Sequence, residues 1–301
     1  MRQAAVLLSV LVAVLLAGPG RPAPAIAQDA SRPLVIGLLP ELNVFAQMER
    51  FRPLAAYLGP RLGRPVQLTM LSRYGNIIDR LRDGEVDGAF LGSFTGALAI
   101  AQLHVEPLAR PVNLDGTSTY TGLLFVRRAS GIHSIADMKG KSLALVERAT
   151  TAGYVFPLAF VRSQGIPSLE DHFREIFFAG SHDAAIQAVL DGRADVGAAK
   201  NTIFQRLRLA APALDERLTV LAESAPVPSN GLCVKPEVPA ADKSRLKSLL
   251  LGLDMDPDGR ETLAALGALR FLATSADDYQ PVRQLTHEAG LRLADYQYHN
   301  E

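Results

Sequence analysis

Four short stretches hold the residues best suited to chemistry: Ser72-Arg73-Tyr74-Gly75-Asn76, Gly92-Ser93-Phe94-Thr95, Arg148-Ala149-Thr150-Thr151-Ala152-Gly153-Tyr154 and Gly180-Ser181-His182-Asp183. Each is rich in small or hydroxylic residues and stands just ahead of a segment with helical periodicity. Such a turn offers unpaired backbone N–H groups, hydroxyl donors and the positive end of a helix dipole, a combination that favours a tetrahedral oxyanion. Ser, Thr, Asn and Asp are also the usual helix caps, so a single turn of this kind carries little weight. Four at equivalent positions point to a ligand site, with Tyr74, Ser93, Thr95, Thr150, Thr151, Ala152 and His182 as its candidate residues. The chain holds no His-Glu-x-x-His, no Cys-x-x-Cys, no P-loop and no Gly-x-Ser-x-Gly turn, so enzyme, metal and cofactor readings have little support.

The elements that must position these turns follow from patterning. Leu34–Leu39 is a short apolar run ending at Pro40, as in a buried parallel strand, and Asn43 is placed to cap a helix reaching Leu62. Strand is expected at Val66–Leu71 and Gly88–Leu91, with helix at Asn76–Arg82 and Gly96–Gln102. After Asp115-Gly116 the alternation begins again. Strands are expected at Thr121–Arg127, Ser142–Val146, Ile176–Phe178 and Val196–Ala198, and helices at Ile135–Met138, Gly153–Gln164 and Ala184–Leu190. Pro157 then falls within a helix's first turn, where its missing N–H loses no bond. From Ala241 onwards the chain reads as mostly helical. This βαβ spacing argues an α/β class with mostly parallel sheets.

An internal echo divides the chain. Leu81-Arg82-Asp83-Gly84-Glu85-Val86-Asp87-Gly88-Ala89 returns, with one residue of slippage, as Leu190-Asp191-Gly192-Arg193-Ala194-Asp195-Val196-Gly197-Ala198. In both, a helix ends at Asp-Gly and a second aspartate leads into a small-residue strand. The repetition suggests two similarly built lobes, with ligand bound outside the carboxyl ends of their strands. The chain is expected to cross between lobes near Gly116–Tyr120 and Pro226–Asn230. That gives residues 32–118 with 228–301 as one lobe and 119–227 as the other.

The Thr150-Thr151-Ala152-Gly153-Tyr154 and Gly180-Ser181-His182-Asp183 elements, with Phe90-Leu91-Gly92-Ser93 and Pro226-Val227-Pro228-Ser229-Asn230, resemble the phosphate/phosphite/phosphonate-binding proteins of ABC importers. The likeness runs from about Leu34 to Leu291. It implies the type II periplasmic binding fold: two α/β lobes, a two-stranded hinge and a ligand in the cleft. It further implies that Tyr74 donates its hydroxyl to the anion, that Thr150 and Thr151 donate at a helix start, and that His182 binds an anion oxygen. Asn230 stands where many members carry Asp or Asn near the cleft. Two departures remove donors: Ala152 replaces the serine of Thr-Ser-Gly-Tyr, and Gly96 stands where a tyrosine is common. Lys200 is expected to compensate with a cation near the cleft.

The remaining residues set the address and the alternatives. Arg2, the apolar run Ala4–Ala17 and Ala25-Ile26-Ala27 form the three parts of a secretory signal peptide, so residues 1–27 are expected to be cleaved and the protein to be periplasmic. The whole chain has 31 basic and 31 acidic residues; losing Arg2 and Arg21 leaves 29 against 31, a charge of −2. Nothing in that balance advertises nucleic acid. Cys233, the sole cysteine, reads as strand packing and Glu41 as a solvated surface carboxylate. The leading expectation is a monomeric receptor that carries a small oxyanion to an ABC permease. The alternatives are a sensing partner of a membrane histidine kinase, and a hydrolase using His182 and Asp183.

Overall fold

The protein's structure is a computed structural model and describes residues 32–298 apart from Ala213; the expected leader, residues 1–27, lies outside the described residues. The chain runs β1 (Leu34–Leu38), α1 (Val44–Leu62), β2 (Val66–Met70), α2 (Asn76–Arg82), β3 (Gly88–Leu91), α3 (Ser93–Leu103) and β4 (Glu106–Asn113). It continues through β5 (Thr119–Tyr120), β6 (Gly122–Arg127), β7 (Ser142–Leu145), α4 (Phe156–Ser163), β8 (Glu175–Phe178), α5 (His182–Leu190), β9 (Val196–Lys200), α6 (Asn201–Ala210), α7 (Leu214–Arg217) and β10 (Leu218–Glu223). The last part is β11 (Val227–Pro228), β12 (Gly231–Val234), α8 (Ala240–Leu251), α9 (Pro257–Leu266), β13 (Ala268–Ala273) and α10 (Gln280–Glu288).

Two sheets result, ordered β13-β4-β12-β3-β1-β2 and β10-β6-β9-β7-β8, joined by the antiparallel pair β5–β11. Tyr120 faces Val227 and Thr119 faces Pro228 in that pair. The sheets are mixed rather than mostly parallel. Only β1–β2, β1–β3, β7–β8 and β7–β9 are parallel, while β12, β4, β13, β6 and β10 join antiparallel. The local βαβ pattern sees only the parallel trio in each sheet. The antiparallel strands come from chain segments distant in sequence or lying at a crossing.

The echoed segments do equivalent work. Gly84 (φ 75°) and Gly192 (φ 78°) turn the chain in the left-handed region that disfavours a side chain. Three residues on, Asp87 Oδ2 accepts the Val35 N–H of β1 at 2.8 Å, and Asp195 Oδ2 accepts the Ser142 N–H of β7 at 3.1 Å. Each aspartate therefore ties its strand to the parallel neighbour, fixing the register of β3 on β1 and of β9 on β7.

Helix starts differ from expectation in a way that matters for the site. Residue α3 begins at is Ser93, not Gly96, and α5 begins at His182 behind the capping hydroxyl of Ser181, which accepts from Ala184 N–H at 3.3 Å. Ahead of α4 stands a π-helical turn, Thr151–Val155, in which Val155 N–H reaches back to Thr150 O at 3.1 Å. Strand β4 was not legible, because Pro107 and Pro111 read as breakers. Its register with β12 shifts between Leu232 and Cys233, opposite Pro107. Apolar residues pack in three groups, one on each sheet's outer helices and a central one to which both halves contribute, including Leu71, Phe94, Leu145 and Phe156.

Candidate functional site

The carboxyl ends of β1, β3, β7 and β9 converge on a cavity enclosed by Glu41, Tyr74, Gly92, Phe94, Tyr120, Ala149, Thr150, Thr151, His182, Lys200 and Asn230. Its free volume is about 10 Å³, room for roughly one water. The two halves are closed on each other.

His182, the first residue of α5, is 4% exposed. Its Nδ1 accepts the Lys200 N–H at 3.2 Å, so the neutral ring carries its proton on Nε2 as a donor. Burial holds this imidazole neutral, with its pKa pushed down to about 3. Lys200, last residue of β9, is also buried. Its Nζ donates to Glu41 Oε1 at 2.7 Å and Asn230 Oδ1 at 3.0 Å, and lies 4.2 Å from the ring centre of Tyr120. Glu41 is 4% exposed, and its second oxygen meets Arg50 Nη1 at 3.3 Å. Burial works against its charge, but Lys200 and Arg50 outweigh it and bring the Glu41 pKa down to about 2.

Tyr74 is 3% exposed, and its hydroxyl has no hydrogen-bond partner among the described residues. A buried orphan hydroxyl costs about 1–3 kcal/mol and is the mark of a group kept for something else. Burial, followed by the nearby Glu41, raises its pKa well above the ordinary tyrosine value, so it stands ready as a donor.

Contacts across the cleft use the same helix starts. Phe94 N–H, in the first turn of α3, donates to Thr151 Oγ1 at 2.9 Å. Tyr74 N–H donates to Glu147 Oε2 at 3.0 Å, and Gly75 N–H also bonds this carboxylate. Glu147 is buried, and that desolvation lifts its pKa to about 7.

Of the residues singled out from sequence, Tyr74, Thr150, Thr151, His182, Asn230 and Lys200 line the cavity. Ser93, Thr95 and Ala152 do not. Ser93 Oγ donates to Pro228 O and accepts from the Tyr120 hydroxyl, each at 2.8 Å, fastening α3 to the crossing strands. Thr95 Oγ1 donates back to Gly92 O at 3.1 Å, a bond internal to the first turn of α3. Ala152 packs against β6, whose Gly122 leaves it space: a Cβ there would sit 3.0 Å from Ala152 Cα. Gly96 likewise makes room for Tyr279, whose Cε1 would be 2.5 Å from a Cβ. Asp183 turns back onto Ser181 Oγ and Ala184 N–H, so it makes no acid–base pair with His182. Among the described residues no group of His, Cys, Asp and Glu is placed to hold a metal.

Glu41 corrects the sequence reading: it is buried, not solvated. Glu41, Tyr120, Glu147 and Arg50 were missed as functional residues. The internal echo could have found the first, since the end of β1 corresponds to the end of β7, where Glu147 and Thr150 stand. Cys233 is buried packing as expected, its thiol pushed up to about 12 by burial.

Residues 36–279 match the family described as ABC transporter, phosphonate, periplasmic substrate-binding protein. The Phosphonates-binding periplasmic protein of Escherichia coli (strain K12) is 24% identical over 266 residues, covering 87% of this chain and 78% of the relative. Among solved structures, the binding protein component of an ABC phosphonate transporter from Pseudomonas aeruginosa superposes with a TM-score of 0.80 at 23% identity, over 86% of this chain and 87% of that one. PhnD1 from Prochlorococcus marinus in complex with methylphosphonate gives 0.76 at 19%, over 86% and 98%. The superpositions establish the type II periplasmic binding fold. With the family match spanning most of the chain, the protein belongs to the periplasmic substrate-binding proteins of phosphonate ABC transporters.

Proposed function

We propose that this protein captures a small tetrahedral oxyanion (phosphonate, phosphite or phosphate) between its two lobes and hands it to an ABC permease in the inner membrane. The observation that carries the reading is the Tyr74 hydroxyl, buried without a partner on the wall of an enclosed, donor-rich cavity. In this reading Tyr74 Oη, His182 Nε2 and Lys200 Nζ donate to the anion, together with the hydroxyl of Thr151, while Thr150 Oγ1 shapes the turn by donating to Glu147 O at 2.6 Å. The first turns of α3 and α5 add their positive dipole ends. Asn230 holds Lys200 in place from below. Ser93, Thr95 and Ala152 act through packing and internal hydrogen bonds rather than by touching ligand. The protein binds and releases; no reaction is assigned to it.

The lobes in this proposal are residues 32–118 with 228–301, and 119–227, rotating about β5 and β11. A phosphonate headgroup needs more room than the closed cavity offers, so binding widens it slightly while keeping both halves engaged. Tyr120 connects the two events, since it sits in β5 and also faces Lys200. The mature protein, cleaved after Ala27, is a periplasmic monomer.

Titration calorimetry of the mature protein against phosphate, phosphite, methylphosphonate and 2-aminoethylphosphonate tests the proposal. Saturable one-to-one binding of at least one is expected. A flat response to all four would refute it. Intact mass of the periplasmic form checks the cleavage site.

A further inference from the structure

Beyond Glu41, Lys200 and Asn230 lies a second, larger cavity of about 530 Å³, for which these three side chains form the common wall with the anion cradle. Its other walls come from both halves: Arg50 of α1, Arg206 of α6, and the α9–β13 corner around Gly267. That volume is in the range of a small-molecule pocket. The cradle itself is so tight that, even widened to admit a headgroup, it leaves no space for a substituent, and its remaining walls, Tyr74, Phe94, Tyr120 and the Ala149–Thr151 turn, are buried. Any substituent on a bound headgroup must therefore leave past Lys200 and Glu41 into this space.

The chemistry of the cavity is uneven. Phe90, Leu266 and Phe271 give it an apolar floor, and three cations, Lys200, Arg50 and Arg206, face it. Only two acids line it. Glu41 is already shared between Lys200 and Arg50, and Asp115 is exposed at the edge with its carboxylate held by Thr117 N–H at 2.9 Å and Thr117 Oγ1 at 2.7 Å. Three positive against two negative groups leave a surplus of +1. Arg206 is the cation without a direct acidic partner: no carboxylate lies within 4.0 Å of its guanidinium among the described residues, although it is half-buried and Glu41 attracts it from farther off. Gly267 leaves room for it, since a Cβ there would stand 2.9 Å from Arg206 Nη2. Burial, followed by the repulsion of Arg50, presses on its charge, and the weaker attraction of Glu41 does not offset them. An anion between Arg50 and Arg206 relieves both.

We infer that the Arg50–Arg206 cavity is a subsite for a second anionic group, so that the ligand class is an organic phosphonate or phosphate ester with a short carbon chain ending in a carboxylate or another oxyanion. This rests on the oxyanion reading of the adjoining cradle and deepens it. Arg206 supplies the unshared donors and Arg50 the second. The apolar floor covers the intervening carbons, and a cationic substituent meets the surplus positive charge.

Calorimetry with methylphosphonate, 2-aminoethylphosphonate and 3-phosphonopropionate, on wild type and Arg206→Gln, tests the assignment. The carboxylated compound is expected to bind the wild type at least about tenfold tighter than methylphosphonate, the scale of one charge-assisted hydrogen bond. The ammonium compound is expected to bind no better than methylphosphonate. Arg206→Gln should abolish the advantage of the carboxylate and leave methylphosphonate unchanged. Equal affinities, a preference for the ammonium compound, or an equal loss for all ligands in the variant would overturn the subsite while leaving the cradle standing. The wild-type ranking alone decides the matter if the variant does not fold. Binding of none of the three would overturn the oxyanion reading and the subsite with it.

Discussion

At the scale of residues, the site is a set of donors whose protonation states are fixed by burial and neighbours. Tyr74 tests this most sharply, because its hydroxyl has no structural bond to lose. Tyr74→Phe is expected to weaken oxyanion binding about tenfold or more, while the urea midpoint holds or rises, since an unpaired buried group is removed. His182→Ala should weaken binding by about ten- to a hundredfold, and unchanged affinity would remove the ring from the site. Glu147 gives a pH signature. Its pKa in the folded protein, about 7, exceeds the ordinary 4.5, so its contribution to stability is fully present below 4.5 and is lost as pH rises through 7. His182 has the opposite sign: depressed to about 3 from 6.5, it contributes above 6.5 and loses that contribution as pH falls. Glu147→Gln keeps an oxygen for the Tyr74 N–H but carries no titrating proton. The Tm advantage of this variant over wild type is expected to grow from about pH 5 to about pH 8 and then level off. An advantage independent of pH would show that the carboxylate is solvated. The hydroxyl-rich turns and His182 were legible in sequence because caps and ligand donors use the same residue types. Glu41 and Glu147 were not, because an isolated carboxylate looks the same in a chain whether it will be solvated or buried beside a lysine.

At the scale of elements, the repeated helix–Asp-Gly–strand unit accounts for how both halves aim their turns at one place. Asp87 and Asp195 fasten the third strand of each parallel trio to the first, which sets where the following turns, Gly92 and Lys200, emerge. Asp195 also accepts the Ser142 hydroxyl at 3.0 Å and meets Arg127 at 3.6 Å. Asp195→Ala leaves the Ser142 amide without this acceptor. The expected cost is about 1–3 kcal/mol in a urea melt, and a loss under about 0.5 kcal/mol would show that the echo is decorative. The short strands and the Asn43-capped helix were readable from period and cap chemistry. β4, β10 and β13 were not, since an antiparallel strand assembled from distant segments has no local βαβ signature, and prolines in β4 disguised it further. The two- to three-residue errors at α3 and α5 moved Ser93 and Thr95 from the mouth of the site into the helix itself.

At the scale of the whole molecule, closure is held by groups that reach across the cleft, among them Thr151, Glu147 and the chain end. After α10 the chain crosses over the site's outer side: Gln102 Nε2 donates to Leu293 O at 2.9 Å and Tyr296 O at 3.1 Å, while Tyr296 Oη donates to Arg148 O at 2.9 Å. The Tyr296 ring packs on Phe94 with centres 5.1 Å apart, and Gly75 leaves space for the ring of Tyr298. One segment thus ties α3 to the turn after β7. Truncation before Ala294 is expected to enlarge the ligand-free radius of gyration in small-angle scattering and to weaken ligand binding. An identical radius would show that the other bridges suffice. By itself the sequence determined the class of fold, the duplication and the anion-friendly turns, because strand and helix periodicity, Asp-Gly caps and hydroxylic helix starts are local properties. Only the tertiary structure decided which donors share the cavity, that Glu41 and Lys200 neutralise each other at its wall, and that Arg206 faces open space beyond it. Burial, pairing and desolvation depend on what the other half of the molecule brings within a few ångströms, and no stretch of chain carries that information alone.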